Sequence, residues 1–287
     1  MSPTLVTRFA PSPTGALHLG HAFSAILSHD LARATGGRFL LRLEDIDGSR
    51  CRPEFNAGIL ENLTWLGLGW DGPVLHQSER MDLYRAQLDR LTARGLLYPC
   101  FCTRKEIQAE IAQSPSAPHG PDGPLYPGTC RALSPDDRAA RLAAGDSHCL
   151  RLDMARAMAQ AGPLSWIAVD ETERETLEMA RPEVFGDVVL ARKDCPTSYH
   201  LAVTTDDAAQ GVTLVVRGED LREATHVHRL LQALLDLPTP RYRHHRLLVD
   251  ETGRRLAKRD RALTLATLRQ GGTTPAEIRR MIGPPLA

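Results

Sequence analysis

Lysine is nearly missing from this chain: the 287 residues include three, Lys105, Lys193 and Lys258. Almost all positive charge is arginine, and Lys258 stands out because it sits in the basic string RRLAKRD. Net charge is missing too. The 35 Lys and Arg balance 35 Asp and Glu, so there is no global basic field of the kind that gathers nucleic acid. Charge is uneven only locally: from Arg241 to Arg261 eight Lys and Arg face three Asp and Glu. No apolar run approaches the ~20 residues that cross a bilayer, so no membrane association is expected. The opening MSPTLVTRF has no basic stretch followed by an apolar one, so a secretory leader is not expected and the cytoplasm is the expected compartment. There, six cysteines are not expected to form disulfides, and closely spaced ones read as metal ligands. What is present is ordinary for a globular protein with a real core, at 42% hydrophobic and 24% charged residues.

Periodicity gives the organisation. LVTRFA alternates as a strand, and ALHLGHAFSAILSHDLARATG carries apolar residues at helical spacing until Gly36-Gly37. RFLLRLED is apolar on both faces, as in a buried parallel strand. Two helices follow, near Pro53–Leu66 and Arg80–Arg94. This order predicts a doubly wound α/β domain with its ligand at the carboxyl ends of the strands. From YPCFC onward the pattern weakens, and 112–129 is rich in Pro, Gly and Ser. Strands are expected again in FGDVVLARKD, TSYHLAVTTDD and VTLVVRGED, then an amphipathic helix in REATHVHRLLQALLDL. A strand, a turn and a loop follow in RYRHHRLLVDETGRRLAKRD, with two short helices between Leu263 and Ile282. The expected divisions are 1–97 and 185–236 for the two halves of the α/β domain. An insertion takes 98–184, and a loop with a short helical region takes 237–287.

The string RFAPSPTGALHLGH, residues 8–21, carries the chemistry. A turn rich in proline delivers the chain to a helix start, where free N–H groups and the macrodipole favour anions. His18 and His21 are three apart and share a helix face, so both can donate hydrogen bonds to phosphate. Gly20 lets a flat ring approach the backbone. A lone histidine here would be an ordinary surface or core residue; the whole string is not.

PSPTGALHLGH resembles the HIGH motif of class I aminoacyl-tRNA synthetases in the form used by the glutamyl/glutaminyl group, which shares the preceding RFA as well. RLAKR, Arg255 to Arg259, is similar to the family's KMSKS loop, with Lys258 at the second lysine and Arg255 and Arg259 in place of the first lysine and final serine. The resemblance implies a ligase with a Rossmann-type parallel sheet, an inserted zinc-containing module and a short helical C-terminal extension. It implies ATP with Mg²⁺ as substrate, bound by His18, Gly20, His21 and Lys258. His18, His21 and Lys258 would be catalytic, stabilising charge that grows on phosphate as a carboxylate attacks. It also implies a glutamate pocket at Arg8, Ala10, Ser12, Glu44, Tyr199 and Arg217. That set is chemically coherent, because two arginines and a tyrosine suit the two carboxylates and Glu44 suits the ammonium. Which arginine holds which carboxylate stays open. Asp45 and Asp47 read as solvated carboxylates.

Cys100, Cys102 and Cys130 form a thiolate group at metal spacing inside the insertion, which suits a structural zinc ion. Tyr126, His119, His148 and Cys149 are candidate fourth ligands, and spacing alone favours Cys or His. The family resemblance implies Tyr126, four residues before Cys130. Cys51, Cys149 and Cys195 read as ordinary core or surface residues.

Only 28 residues follow Arg259 (287 minus 259), so an anticodon-binding helical region is not expected in this chain. Truncation alone does not identify the target; the resemblance, helped by YPGTC and this early stop, is to glutamyl-Q tRNA(Asp) synthetases. These activate glutamate and attach it to queuosine in the anticodon of tRNA(Asp). The implied partners are glutamate, ATP and the tRNA(Asp) anticodon stem-loop, with the chain acting as a monomer. Two other readings are a truncated enzyme that charges a tRNA 3′ end and an inactive RNA-binding relative. The second fits poorly with an intact His18, His21 and Lys258.

Overall fold

The computed structural model describes residues 4–112, 119–121, 123–248 and 264–283. The first portion contains β1 (Val6–Phe9), α1 (Leu19–Ala34), β2 (Arg38–Leu43), α2 (Pro53–Trp65), β3 (Leu75–His76) and α3 (Met81–Ala93). β1, β2 and β3 run parallel, with Val6 opposite Arg38 and Phe9 opposite Leu41. β2 is buried from Phe39 to Leu43, as a strand covered on both faces must be. α1 is buried over Ala22, Phe23, Ala25, Ile26 and Leu27, because the sheet and the C-terminal helices cover it from different sides. Its exit is tight. A Cβ on Gly37 would sit 2.2 Å from the Leu5 carbonyl oxygen, so only glycine lets helix and strand close so near.

The middle portion contains β4 (Leu97–Cys100), α4 (Arg104–Ala112), β5 (His119–Gly120), β6 (Gly123–Pro124) and α5 (Pro135–Ala143). It continues with β7 (Cys149–Leu152), α6 (Met154–Ala161), β8 (Ser165–Val169), β9 (Glu175–Met179) and β10 (Val189–Ala191). β4, β7 and β10 form a small antiparallel sheet with β7 in the centre. The strand expected in FGDVVLARKD therefore exists as β10 but completes this sheet and does not return to the parallel one. β8 and β9 make a hairpin whose β8 side meets β12.

The last portion contains α7 (Tyr199–Ala209), β11 (Leu214–Gly218), α8 (Ala224–Leu234), β12 (Arg241–His245), α9 (Leu265–Gln270) and α10 (Pro275–Ile282). Here TSYHLAVTTDD departs from expectation: it is the helix α7 and not a strand. Its Tyr, Val and Thr content favours a strand by propensity alone. Ser198 instead caps a helix by accepting from Leu201 N, and every residue from Leu201 to Asp207 is buried. Surroundings on all sides outweigh a propensity worth tenths of a kcal/mol per residue.

β11 and β12 are parallel and in register from Leu214 opposite Arg241 to Gly218 opposite His245. β11 also lies beside β1. Val6 N donates to Thr213 Oγ1 at 2.8 Å, Thr213 N donates to the Val6 carbonyl at 2.9 Å, and Arg8 Nη1 reaches the Val216 carbonyl at 3.2 Å. The spatial order is thus β3-β2-β1-β11-β12, and sequence order reverses between β1 and β11. In such sheets that reversal opens a crevice at the carboxyl ends of the strands. α9 and α10 close the far side of α1, with Leu265, Ile278 and Ile282 in one core with Phe23 and Ile26. Among the described residues no helix is long and apolar enough to cross a membrane.

Candidate active site

The crevice between β1 and β11 opens into a cavity of about 570 Å³. It is lined by Arg8, Ala10, Ser12, His18, Gly20, His21, Glu44, Tyr199 and Arg217. Positions spread over two hundred residues of sequence therefore meet in one space. Lys258, with Arg255 and Arg259, lies outside the described residues. The chain on either side of that stretch is placed. Leu248 lines the cavity, Thr264 forms a β-bridge with His18, and Leu265 N donates to the Leu17 carbonyl at 2.8 Å.

His18 and His21 cap α1 as a pair. His18 is the N-cap in extended conformation, and its Nδ1 accepts from Gly20 N at 3.1 Å. His21 reaches back, its Nδ1 accepting from His18 N at 3.2 Å. This is a capping box built from two imidazoles. With Nδ1 accepting, each ring carries its proton on Nε2. The caps therefore select the tautomer that donates from Nε2, at the helix end where anions are favoured. The ring centroids are 3.9 Å apart. Gly20 acquires a reason the sequence did not disclose. The flat ring that approaches its backbone is the imidazole of His18, and a Cβ there would lie 3.0 Å from His18 Cε1.

Two of the cavity arginines, Arg8 and Arg217, are held in opposite ways. Arg8 Nε donates to Asp207 Oδ1 at 3.0 Å. The same oxygen accepts from the fully buried Arg42 at 2.7 Å, and Arg42 also pairs with Glu44 at 3.3 Å. Two cations and two carboxylates thus balance, Arg8 and Glu44 at the cavity wall and Arg42 and Asp207 behind it. Burial raises the Asp207 carboxyl, but Arg8 and Arg42 outweigh it and hold the group below its ordinary value. For Glu44 burial wins over the pull of Arg42 and Arg8, and its pKa rises. A ligand ammonium beside Glu44 would restore what desolvation costs. Arg217, 4% exposed, has among the described residues only neutral partners: Tyr199, Thr225, His228 and His244. Arg42, Asp207 and this shell carried no motif signal. Asp207 in particular was hidden by the strand reading of α7.

The cysteine group lies apart, where β4 and its following turn approach Cys130. The Sγ atoms of Cys100, Cys102 and Cys130 all lie within 4.8 Å of one another. Cys102 and Cys130 are 3.4 Å apart, and Tyr126 Oη is 3.3 Å from Cys100 Sγ and 3.6 Å from Cys102 Sγ. A tetrahedral ion with bonds of about 2.3 Å spaces its sulfurs roughly 3.8 Å apart, so this donor set can hold one metal ion. Cys149 faces Cys100 across the β4–β7 pair. Its hydrogen bond to Cys100, with those of Tyr126 and Arg151, outweighs burial and holds the Cys100 thiol well below its ordinary value, whereas burial pushes the Cys102 thiol up to about 11.

A parallel sheet with an imidazole-capped helix and a cavity lined by arginines and Glu44 at its switch point fits the catalytic domain of a class I α/β synthetase. The profile described as tRNA synthetases class I (E and Q), catalytic domain, matches residues 4–283, and the chain belongs to that family. It is 54% identical over 285 residues to the glutamyl-Q tRNA(Asp) synthetase of Rhodobacter capsulatus, covering 97% of this chain and 100% of that protein. It is 46% identical to the protein of the same name from Nocardia farcinica, over 94% of this chain and 81% of that one. Among solved structures it resembles a glutamate-tRNA synthetase from Elizabethkingia anophelis, with a TM-score of 0.75 and 27% identity over 90% of this chain. The chain spans about half of that synthetase, 53% of its length.

Proposed function

We propose that this protein activates L-glutamate with ATP and Mg²⁺ and transfers it to queuosine in the anticodon loop of tRNA(Asp), acting in the cytoplasm as a monomer. The observation that carries the glutamate reading is the cavity at the β1–β11 switch point. One wall holds Glu44 for an ammonium, and another holds Arg217 without a carboxylate partner among the described residues. The names of the relatives that match over nearly the whole chain support the queuosine target.

In the first step a glutamate carboxylate oxygen attacks the α-phosphorus of ATP. The new O–P bond forms as the bond to pyrophosphate breaks. His18 and His21 donate from Nε2 to phosphate oxygens at the end of α1, where negative charge grows. Mg²⁺ would accompany the phosphates. Glu44 takes the ammonium, and Arg8, Ala10, Ser12, Tyr199 and Arg217 surround the rest of the amino acid. The test is exchange of labelled pyrophosphate into ATP with glutamate and no RNA. Exchange specific to glutamate is expected, and no exchange with any RNA-free preparation would overturn a tRNA-independent first step.

Lys258 acts on the same developing charge. Lys258→Ala is expected to lower kcat for exchange by roughly a hundredfold, about 3 kcal/mol, with glutamate KM little changed. A normal kcat would remove Lys258 from the mechanism.

In the inserted module Cys100, Cys102, Tyr126 and Cys130 hold one structural zinc ion. Metal analysis of protein purified without chelator should find about one equivalent. The double variant Cys100→Ser, Cys102→Ser should lose it, and Tyr126→Phe should weaken it less. Full occupancy in the double variant would refute the site.

A further inference from the structure

Arg217 is gripped by two elements that no motif singled out. Its Nη2 donates to Thr225 Oγ1 at 2.7 Å and its Nη1 to His228 Nδ1 at 3.1 Å, both on α8. Its Nε donates to His244 Nε2 on β12 at 3.3 Å, and Nη1 also meets the Tyr199 hydroxyl at 3.4 Å. An arginine has five N–H donors and no acceptor, so among the described residues four are occupied and one on Nη2 remains for a ligand. Because arginine can only donate, His228 must accept at Nδ1 and carry its proton on Nε2. That nitrogen lies 3.2 Å from His200 Nδ1, so His200 accepts it and fixes the tautomer. Every group in this shell is neutral. Burial first, and the charge of Arg217 second, keep His200, His228 and His244 below the ordinary histidine range. Glu44, which lines the same cavity, is paired with Arg42.

The contrast with Arg8 gives the arrangement a function. Arg8 is buried against a carboxylate and is already compensated. A buried cation whose acceptors are all neutral keeps the cost of its lost hydration until an anion arrives. We propose that Thr225, His228 and His244 are positioning residues whose uncharged grip keeps Arg217 electrostatically uncompensated, and that this grip makes the pocket select a carboxylate of the amino acid. The inference rests on the reading of the site as a glutamate pocket. It adds that the selectivity belongs to the shell as well as to the arginine. A carboxylate in the shell would hold Arg217 just as firmly and abolish its demand for an anion.

His228 separates charge from support. His228→Asn keeps an uncharged acceptor near the Nδ1 position, and His228→Asp puts a carboxylate there. Pyrophosphate exchange is measured for both with glutamate and ATP varied in turn, alongside their thermal melting. The aspartate variant is expected to raise glutamate KM roughly tenfold or more, the scale of a lost charged hydrogen bond, with ATP KM unmoved. The asparagine variant should stay close to the wild type in both. Should either protein melt early, direct glutamate binding at low temperature replaces the kinetic readout. An unchanged glutamate KM in His228→Asp overturns the inference, as does equal impairment of both variants, which would reveal packing alone. Wild-type protein that exchanges with another amino acid and not with glutamate would overturn the substrate reading instead, and this inference with it.

Discussion

Labelled glutamate is expected to enter tRNA(Asp) that carries queuosine and to stay out of the same tRNA without it. The expected effect is all or none, because the modified base supplies the acceptor hydroxyl. A base in a single-stranded loop can be turned out and read on its edges, which a stacked helical base cannot. Arg246, exposed just beyond the end of β12, would meet RNA phosphates beside the cavity it lines. Labelling should therefore weaken as salt rises, following counterion release. Removal of the 3′-terminal adenosine discriminates the acceptor. The label should survive it if the base is esterified and disappear if the 3′ end is. Equal labelling of both tRNAs, or loss of label with the adenosine, would mean ordinary charging.

Asp207→Ala is expected to destabilise the protein by about 3–5 kcal/mol, the usual cost of stripping one partner from a buried ion pair. One carboxylate here serves two buried guanidinium groups, Arg8 at 3.0 Å and Arg42 at 2.7 Å. Its loss leaves Glu44 as the remaining carboxylate beside Arg42. At this chain length such a change lowers Tm by roughly 5–8 °C, which differential scanning calorimetry would detect. A shift of a degree or two would show that Arg8 and Arg42 find other partners. The pH dependence has a definite sign. The folded-state pKa lies below the ordinary 3.8, so the stabilisation is fully present above that value. It is lost only as pH falls further, through the folded pKa. The buried histidines act in another window. Their folded pKa values lie below 6.5, with His200 at about 4, so stability falls as pH drops from about 6.5 toward 4, where only the unfolded chain takes up their protons.

The parts of the site that were legible in sequence share one property: local geometry makes them. The spacing of His18 and His21 already places both at the start of α1, one as its N-cap and one in its first turn, and the spacing of Cys100, Cys102 and Cys130 already suggests a common ion. The alternation of β1 and the two-faced apolarity of β2 imply a buried parallel sheet. Apart from the approach of Cys130, which lies 28 residues beyond Cys102, each of these follows from backbone periodicity within a few residues. The class I family could be read there as well, since its longest motif is one unbroken strand, turn and helix start.

Long-range partnership decided the rest. Tyr199 to Ala209 has the composition of a strand and becomes a helix because neighbours bury it on all sides. Asp206 and Asp207 then point different ways, the first to Gln77, Arg80 and Tyr84 and the second to Arg8 and Arg42. No spacing rule connects Arg8 with a carboxylate 199 residues away. Nor does any rule leave Arg217 with neutral partners only among the described residues. The sequence by itself determined which residue types stand at the cavity and the turns that bring them to strand ends. Only the tertiary structure decided which of two identical guanidinium groups is compensated, because burial and the position of a carboxylate set that balance, and both come from packing between distant segments.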